Sequence, residues 1–153
     1  MNGRQGGFTL LEMLIVLAIA GVLMGVGLNA IRQVQRGGQE NAFVTNLSLS
    51  IKGAASYAAS RRTQVTMIRA GDVVRFVNAS SEQIEDGQGI RIPSTVNTNI
   101  PDGAALTFGP NGSVTARAVP QPLMIASQDR EWAMQISTIG DTRVVETAAV
   151  PAN

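Results

Sequence analysis

Glu12 is the residue whose position most needs a chemical explanation. It stands directly before Met13–Ile31, nineteen residues without one charged side chain. A carboxylate in an apolar environment costs free energy, about 2.5–3.5 kcal/mol at the centre of a bilayer and less near its surface. In the first turn of a helix, the helix dipole would favour its negative charge at a water interface. The alternative is an ion pair with a cation, which makes a buried carboxylate tolerable.

Side chains that commonly carry catalysis are scarce in this sequence. It contains no histidine and no cysteine, which removes the commonest general base, the thiol nucleophile and most zinc sites. Lys52, the only lysine, stands near Ser48 and Ser50; carboxylate or Ser/Lys chemistry stays formally possible, although solvated polar side chains are the simpler explanation. The acidic segment 85–89 lacks the ligand spacing of an EF-hand loop. We therefore expect that the protein is not an enzyme and that it binds no metal ion and no cofactor.

The uncharged run predicts a membrane span. About 20 apolar residues cross a bilayer as a helix, and a helix over residues 8–31 has that length. A cleaved secretory signal is the alternative, but its apolar region covers only about 7–15 residues and ends at a site of the A-x-A kind. The sequence NAIRQVQRGGQ at the end of the run contains no such site. The pattern therefore favours a retained span.

A specific motif precedes this run. The stretch GGFTLLE, ending at Glu12 and preceded by a short polar leader with Arg4, closely resembles the processing motif of type IV prepilins and type II secretion pseudopilins. The resemblance implies a leader over residues 1–7, cleavage by prepilin peptidase between Gly7 and Phe8, and N-methylation of Phe8. Glycine suits the cleavage position because it lets an active site approach the backbone closely. The resemblance also implies that Glu12 pairs with the amino terminus of a neighbouring subunit.

The expected orientation comes from the same resemblance. Arg4 lies on one side of the span and Arg32 and Arg36 on the other, so the positive-inside rule alone favours the opposite orientation. Prepilins have a cytoplasmic leader and an outward carboxyl-terminal domain. We follow the more specific motif and expect a single-pass protein of the cytoplasmic (inner) membrane with a periplasmic or extracytoplasmic domain.

The residues that follow predict an amphipathic helix over residues 32–61. Apolar side chains recur there at spacings of three and four, which places them on one helix face. They are Phe43, Leu47, Ile51, Ala54, Ala55 and Ala58. We expect this face to pack on a sheet formed later in the chain.

Short β-type runs fill residues 62–153. The runs are 64–68, 72–77, 105–108, 113–115, 123–125, 132–136 and 143–146. Ala70-Gly71 and the stretch Gly109–Gly112 have the composition of hairpin turns. The chain is therefore predicted to be α+β, with a long amino-terminal helix followed by an all-β domain that forms a sandwich or strongly curved sheets.

Three stretches, the first of which begins at the end of the helix, resemble the GspH/FimT group of minor pilins and pseudopilins. They are AASYAASRRTQVTMI, LTFGPNGSV and the closing hairpin from Ile136 to Glu146. The resemblance implies a pilin-like fold, in which the long amino-terminal helix packs on a carboxyl-terminal all-β domain of two antiparallel sheets. It also implies a low-copy subunit near the tip of a type IV pilus or a type II secretion pseudopilus. Its implied partners are prepilin peptidase, other major and minor pilins or pseudopilins, and the cytoplasmic membrane.

The polar segment 78–102 is rich in Ser, Asn, Gln, Gly and acidic residues. This composition predicts an exposed loop in which only residues 89–93 are strand-like. Such a loop either carries recognition or is a solvated connector between sheets, and we favour the connector.

Nucleic-acid binding in DNA uptake is the alternative function. The sequence has 12 Lys+Arg and 11 Asp+Glu, and loss of Arg4 with the leader leaves 11 of each, so no general basic footprint exists. Arg61, Arg62, Arg69 and Arg75 could still form a local cluster. DNA-binding relatives carry Gly-Arg-x-Arg in the closing hairpin, where this chain has GDTR ending at Arg143. We keep Arg143 as a possible DNA contact and disfavour the function, because the aspartate would repel phosphate.

Overall fold

The computed structural model describes residues 10–84 and 89–148, with the side chains of residues 25–34 and 148 outside the description. The chain divides into two compact units, Met1–Gly38 and Gln39–Asn153. One helix and nine strands lie in the described ranges: α1 (Leu10–Arg61), β1 (Val65–Ala70), β2 (Val73–Asn78), β3 (Ile90–Arg91), β4 (Asn97–Thr98), β5 (Gly103–Phe108), β6 (Val114–Arg117), β7 (Leu123–Ala126), β8 (Arg130–Ile136) and β9 (Thr142–Ala148). The predicted domain boundaries at residues 7, 31 and 61 stay predictions.

The strands form two antiparallel sheets. The first sheet has the order β3-β2-β1-β5-β6, and the second has the order β4-β7-β8-β9. Most neighbours are hairpins, such as β1 and β2, where Ala70 pairs with Val73 across a turn at Gly71. Gly71 has a φ of +61°, a backbone angle that glycine adopts without steric cost. The predicted α+β class with two antiparallel sheets is confirmed.

The core of the carboxyl-terminal unit lies between the second half of α1 and the two sheets. The predicted apolar helix face is buried without exception: Phe43, Leu47, Ile51, Ala54, Ala55 and Ala58. Strand residues alternate in burial, as a half-covered sheet requires. Val65 and Met67 of β1 and Leu123 and Ile125 of β7 point inward. The prediction that this helix face packs on a sheet is confirmed.

The prediction of an exposed loop over residues 78–102 is right for residues such as 79–82 and wrong for three buried side chains. Ile92, Val96 and Ile100 are buried in the core. The reason is topological, because β3 adds to the edge of the first sheet and β4 to the edge of the second. The segment therefore connects the two sheets and covers the core between them. Residues 85–88, part of the acidic stretch, lie outside the described residues.

Candidate functional site

The predicted processing site and the predicted assembly carboxylate lie at the amino-terminal end of the chain. Gly7 and Phe8, the residues of the expected cleavage and methylation, lie outside the described residues. Glu12 is described: it lies in the first turn of α1, and its side chain is exposed. This position agrees with the favourable interaction between a carboxylate and the positive end of the helix dipole.

Apolar side chains surround the start of α1 on all sides. From Leu10 to Met24 the large apolar residues are exposed by 50% (Ile15) to 82% (Leu10). A helix that is apolar around its whole circumference has no water-facing side, so it is stable only when covered by protein or lipid. This surface is therefore a candidate packing surface.

In the part of the chain that the structure describes, no helix combines the length and the hydropathy that a membrane span requires. The sequence-based prediction of a span covers residues 8–31, several of which lie outside that description.

Arg143 lies on the closing strand β9 of the carboxyl-terminal unit, opposite Gln135 of β8. Its side chain is exposed and makes no ion pair with any residue that the structure describes. It lines a groove of about 370 Å³ together with Arg117, Ser137 and Asp141. The sequence did not indicate Arg117, because β6 and β9 belong to different sheets and only the fold brings Arg117 and Arg143 to one groove.

Asp141, the residue expected to repel phosphate beside Arg143, has a cationic partner. Its Oδ1 atom lies 3.0 Å from the Nζ atom of Lys52 on α1. The hydrogen bond from Lys52 lowers the pKa of Asp141 most, followed by a hydrogen bond from the backbone N–H of Thr142 and the charge attraction of Lys52. The negative charge of Asp141 is therefore partly compensated, which weakens the electrostatic argument against an anion in this groove.

Two of the four arginines considered as a possible cluster, Arg61 and Arg69, make other contacts. Arg69 donates hydrogen bonds to the carbonyls of Gly71 (2.9 Å) and Ile100 (2.5 Å) and lies 3.6 Å from Asp102. The guanidinium of Arg61 lies 5.9 Å from the ring centre of Tyr57. Arg69 therefore stabilises the fold and is not free for an external anion.

A polar cluster around Arg130 was not indicated by the sequence. Arg130 of β8 lies 3.7 Å from Glu40 and 3.5 Å from Glu146, and donates a 3.1 Å hydrogen bond to Asn41. Its guanidinium also lies 5.3 Å from the ring centre of Trp132. Glu40 is 7% exposed, so this arginine compensates a nearly buried carboxylate. The cluster joins α1 to the second sheet.

Nowhere in the described ranges do three metal-ligating side chains come together.

Comparison with known proteins places a recognised motif at the amino-terminal end. The prokaryotic N-terminal methylation motif matches residues 2–28. Neither the search of curated proteins nor the search of solved structures found a match. The chain therefore has a type IV prepilin-like leader, and the motif indicates a pilin-like protein that is processed by prepilin peptidase and assembled with other pilins.

Proposed function

We propose that this chain is a minor pilin or pseudopilin, a low-copy subunit near the tip of a type IV pilus or a type II secretion pseudopilus. The observation that carries the proposal is the methylation motif over residues 2–28, which includes the apolar surface of α1 from Leu10 to Met24. A subunit of this kind acts by assembly and not by catalysis. The motif supports this structural role.

The processing chemistry assigned to the motif is cleavage between Gly7 and Phe8 followed by N-methylation of Phe8. Glu12 then becomes the fifth residue of the mature chain. Its carboxylate pairs with the amino terminus of a neighbouring subunit as the apolar helices pack in the filament. An ion pair of this kind offsets part of the cost of burying the carboxylate.

Membrane anchoring precedes assembly in this proposal. The precursor is held in the cytoplasmic membrane by residues 8–31, with residues 62–153 on the periplasmic or extracytoplasmic side. The uncharged run of nineteen residues after Glu12 supports this anchoring.

Membership of the GspH/FimT group is part of the same proposal. The family match ends at residue 28, so the assignment of the β domain depends on the three sequence stretches and on the two-sheet architecture. A buried helix face on two antiparallel sheets is compatible with that group. Other minor pilins or pseudopilins are the expected partners of the β domain.

Substitution of Glu12 tests the assembly role. In a host with the peptidase and the filament system, Glu12→Ala should be processed like the wild type but be lost from purified filaments. Asp129→Ala, which removes an exposed carboxylate from the β domain, is the matched control and should assemble normally. Normal incorporation of Glu12→Ala would contradict the assembly role of this carboxylate.

DNA binding during natural transformation is the second candidate function. The observation that favours it is the groove in which Arg143 lies beside Arg117 while Lys52 compensates Asp141. Arg117 also donates a 3.4 Å hydrogen bond to the carbonyl of Ser137. Two guanidinium groups at one groove can contact a phosphate backbone, and such contacts weaken as salt concentration rises.

Fluorescence anisotropy with labelled DNA and the full chain in detergent micelles separates the two candidates. If the chain binds DNA, its affinity for DNA should fall steeply as salt concentration rises. At a given salt concentration, Arg143→Ala and Arg117→Ala should bind DNA more weakly than the wild type. Arg91→Ala is the control, because Arg91 pairs with Asp72 outside the groove. No binding at low salt would contradict the DNA-binding function and leave filament assembly as the function.

A further inference from the structure

Strand β9 is the longest open edge in the two sheets that the structure describes. It ends the second sheet and comprises seven residues. The other edge strands are shorter, with two residues each in β3 and β4 and four in β6. An edge strand exposes unpaired backbone N–H and C=O groups that can bind another extended chain. Among the edge strands in the described ranges, only β9 offers a ladder long enough for several such bonds.

The hydrogen-bond pattern of the β8–β9 hairpin defines which residues of β9 point outward. The N–H of Ser137 donates to the carbonyl of Asp141 at 2.8 Å. Since backbone bonding alternates along an antiparallel pair, Arg143, Val145 and Thr147 bond to β8. The backbone groups of Val144 and Glu146 therefore point away from β8, and no described residue bonds to them.

A groove runs beside this free edge. It has a volume of about 540 Å³ and lies between residues 41–49 of α1 and β9. Its apolar lining comes from Val44, Leu49, Trp132 and Val144. Leu49 is 60% exposed and Val144 is 36% exposed. An added strand would direct every second side chain into this groove, because strand side chains alternate between faces.

The charges differ between the two faces of β9. Glu146 lines the groove and lies 3.5 Å from Arg130, so an acidic side chain entering the groove would meet a carboxylate. Arg143 and Glu146 are three positions apart on β9, so their side chains lie on opposite faces of the sheet. On its own face, Arg143 pairs with no described carboxylate. The complementary strand is therefore apolar toward the groove and acidic opposite Arg143.

We propose that β9 binds an extended segment of another polypeptide, which joins the second sheet as an added edge strand. The bound segment alternates apolar side chains, placed in the groove, with a carboxylate that pairs with Arg143. Backbone hydrogen bonds supply affinity and the alternating side chains supply specificity. The proposal does not depend on the filament function, since it concerns only the carboxyl-terminal unit.

A synthetic peptide provides the probe. The capped, fluorescently labelled sequence Thr-Val-Glu-Val-Glu-Val-Thr has the required alternation, and a version with lysines for the glutamates reverses its charge. The full chain in detergent micelles is titrated against each peptide by anisotropy. The glutamate peptide should bind saturably and roughly tenfold more tightly than the lysine peptide, a difference of about 1.4 kcal/mol. Hydrogen exchange at Val144 and Glu146 should slow when the glutamate peptide is bound.

Two variants decide the outcome. Val144→Pro removes an N–H that points away from β8, so it should abolish binding while the unfolding temperature stays close to that of the wild type. If this variant does not fold, Arg143→Glu takes its place and should reverse the preference toward the lysine peptide. Arg75→Glu makes the same charge change on β2 and should leave the preference unchanged. Absence of saturable binding, or equal binding by wild type, Val144→Pro and Arg143→Glu, would overturn the proposal.

Discussion

The ammonium of Lys52 lies 3.0 Å from the carboxylate of Asp141, which joins α1 to the turn between β8 and β9. The two residues are far apart in sequence, and the fold alone brings them together. Their pairing holds the pKa of Asp141 below its ordinary value of 3.8. The contribution of this pair to stability is therefore present above pH 3.8 and is lost as pH falls through the lower, folded-state pKa.

The first prediction concerns this carboxyl group. In an NMR titration, Lys52→Met should raise the pKa of Asp141 toward 3.8, because the hydrogen bond from Lys52 is the largest cause of its lowering. Arg75→Met removes a cation from β2 and should leave the pKa of Asp141 where it is in the wild type. An Asp141 titration that is the same in Lys52→Met and wild type would show that the ion pair does not form in solution.

The second prediction compares two leucines on α1. Leu47 is fully buried, whereas Leu49 is 60% exposed. Leu47→Ala should lower the free energy of unfolding by about 2–5 kcal/mol, since it removes apolar contacts and leaves a cavity. Leu49→Ala should change it by no more than about 0.5 kcal/mol. Denaturant unfolding measures both, and equal effects would show that this helix face does not form the core.

The third prediction concerns the Arg130 cluster. Arg130→Ala leaves the nearly buried Glu40 without its cation, so the free energy of unfolding should fall by about 1–3 kcal/mol. Arg91→Ala is the matched control, because it breaks an exposed pair with Asp72 and should cost less than about 1 kcal/mol. Unfolding curves of the two variants that coincide would contradict the role of Arg130 in joining α1 to the second sheet.

The fourth prediction compares two glycines that share a positive φ but differ in how closely other side chains approach them. Gly71 and Gly140 have φ values of +61° and +76°, where a side chain costs about 1–2 kcal/mol. A Cβ atom at Gly71 would meet open space, but one at Gly140 would collide with Ala55 and lie 3.1 Å from Phe108. Gly140→Ala should therefore be more destabilising than Gly71→Ala by about 1–3 kcal/mol. Equal unfolding temperatures would show that the turn relaxes away from the helix.

Local patterns in the sequence predicted the features that depend on neighbouring residues. The periodic apolar residues from Phe43 to Ala58 indicated the buried helix face, and turn residues between β-type runs indicated the hairpins. The leader was recognisable for the same reason, since its motif is one continuous stretch matched by the methylation motif. Signals of this kind need no knowledge of the fold.

Features that depend on distant residues were missed. Arg130 and Asn41 are 89 positions apart, and nothing near either residue indicates their hydrogen bond. Ile92, Val96 and Ile100 stand among polar residues, so composition predicted exposure, although the path between the two sheets buries them. The compensation of Asp141 by Lys52 and the approach of Arg117 to Arg143 likewise follow only from packing.

The mass of the mature chain shows whether the leader is removed between Gly7 and Phe8. The chain is produced in a host with prepilin peptidase, and its amino-terminal peptide is identified by mass spectrometry. We expect a chain that begins at N-methylated Phe8, and we expect Gly7→Val to retain the leader while Glu12→Ala is processed normally. A wild-type chain that keeps residues 1–7 in that host would contradict processing by prepilin peptidase.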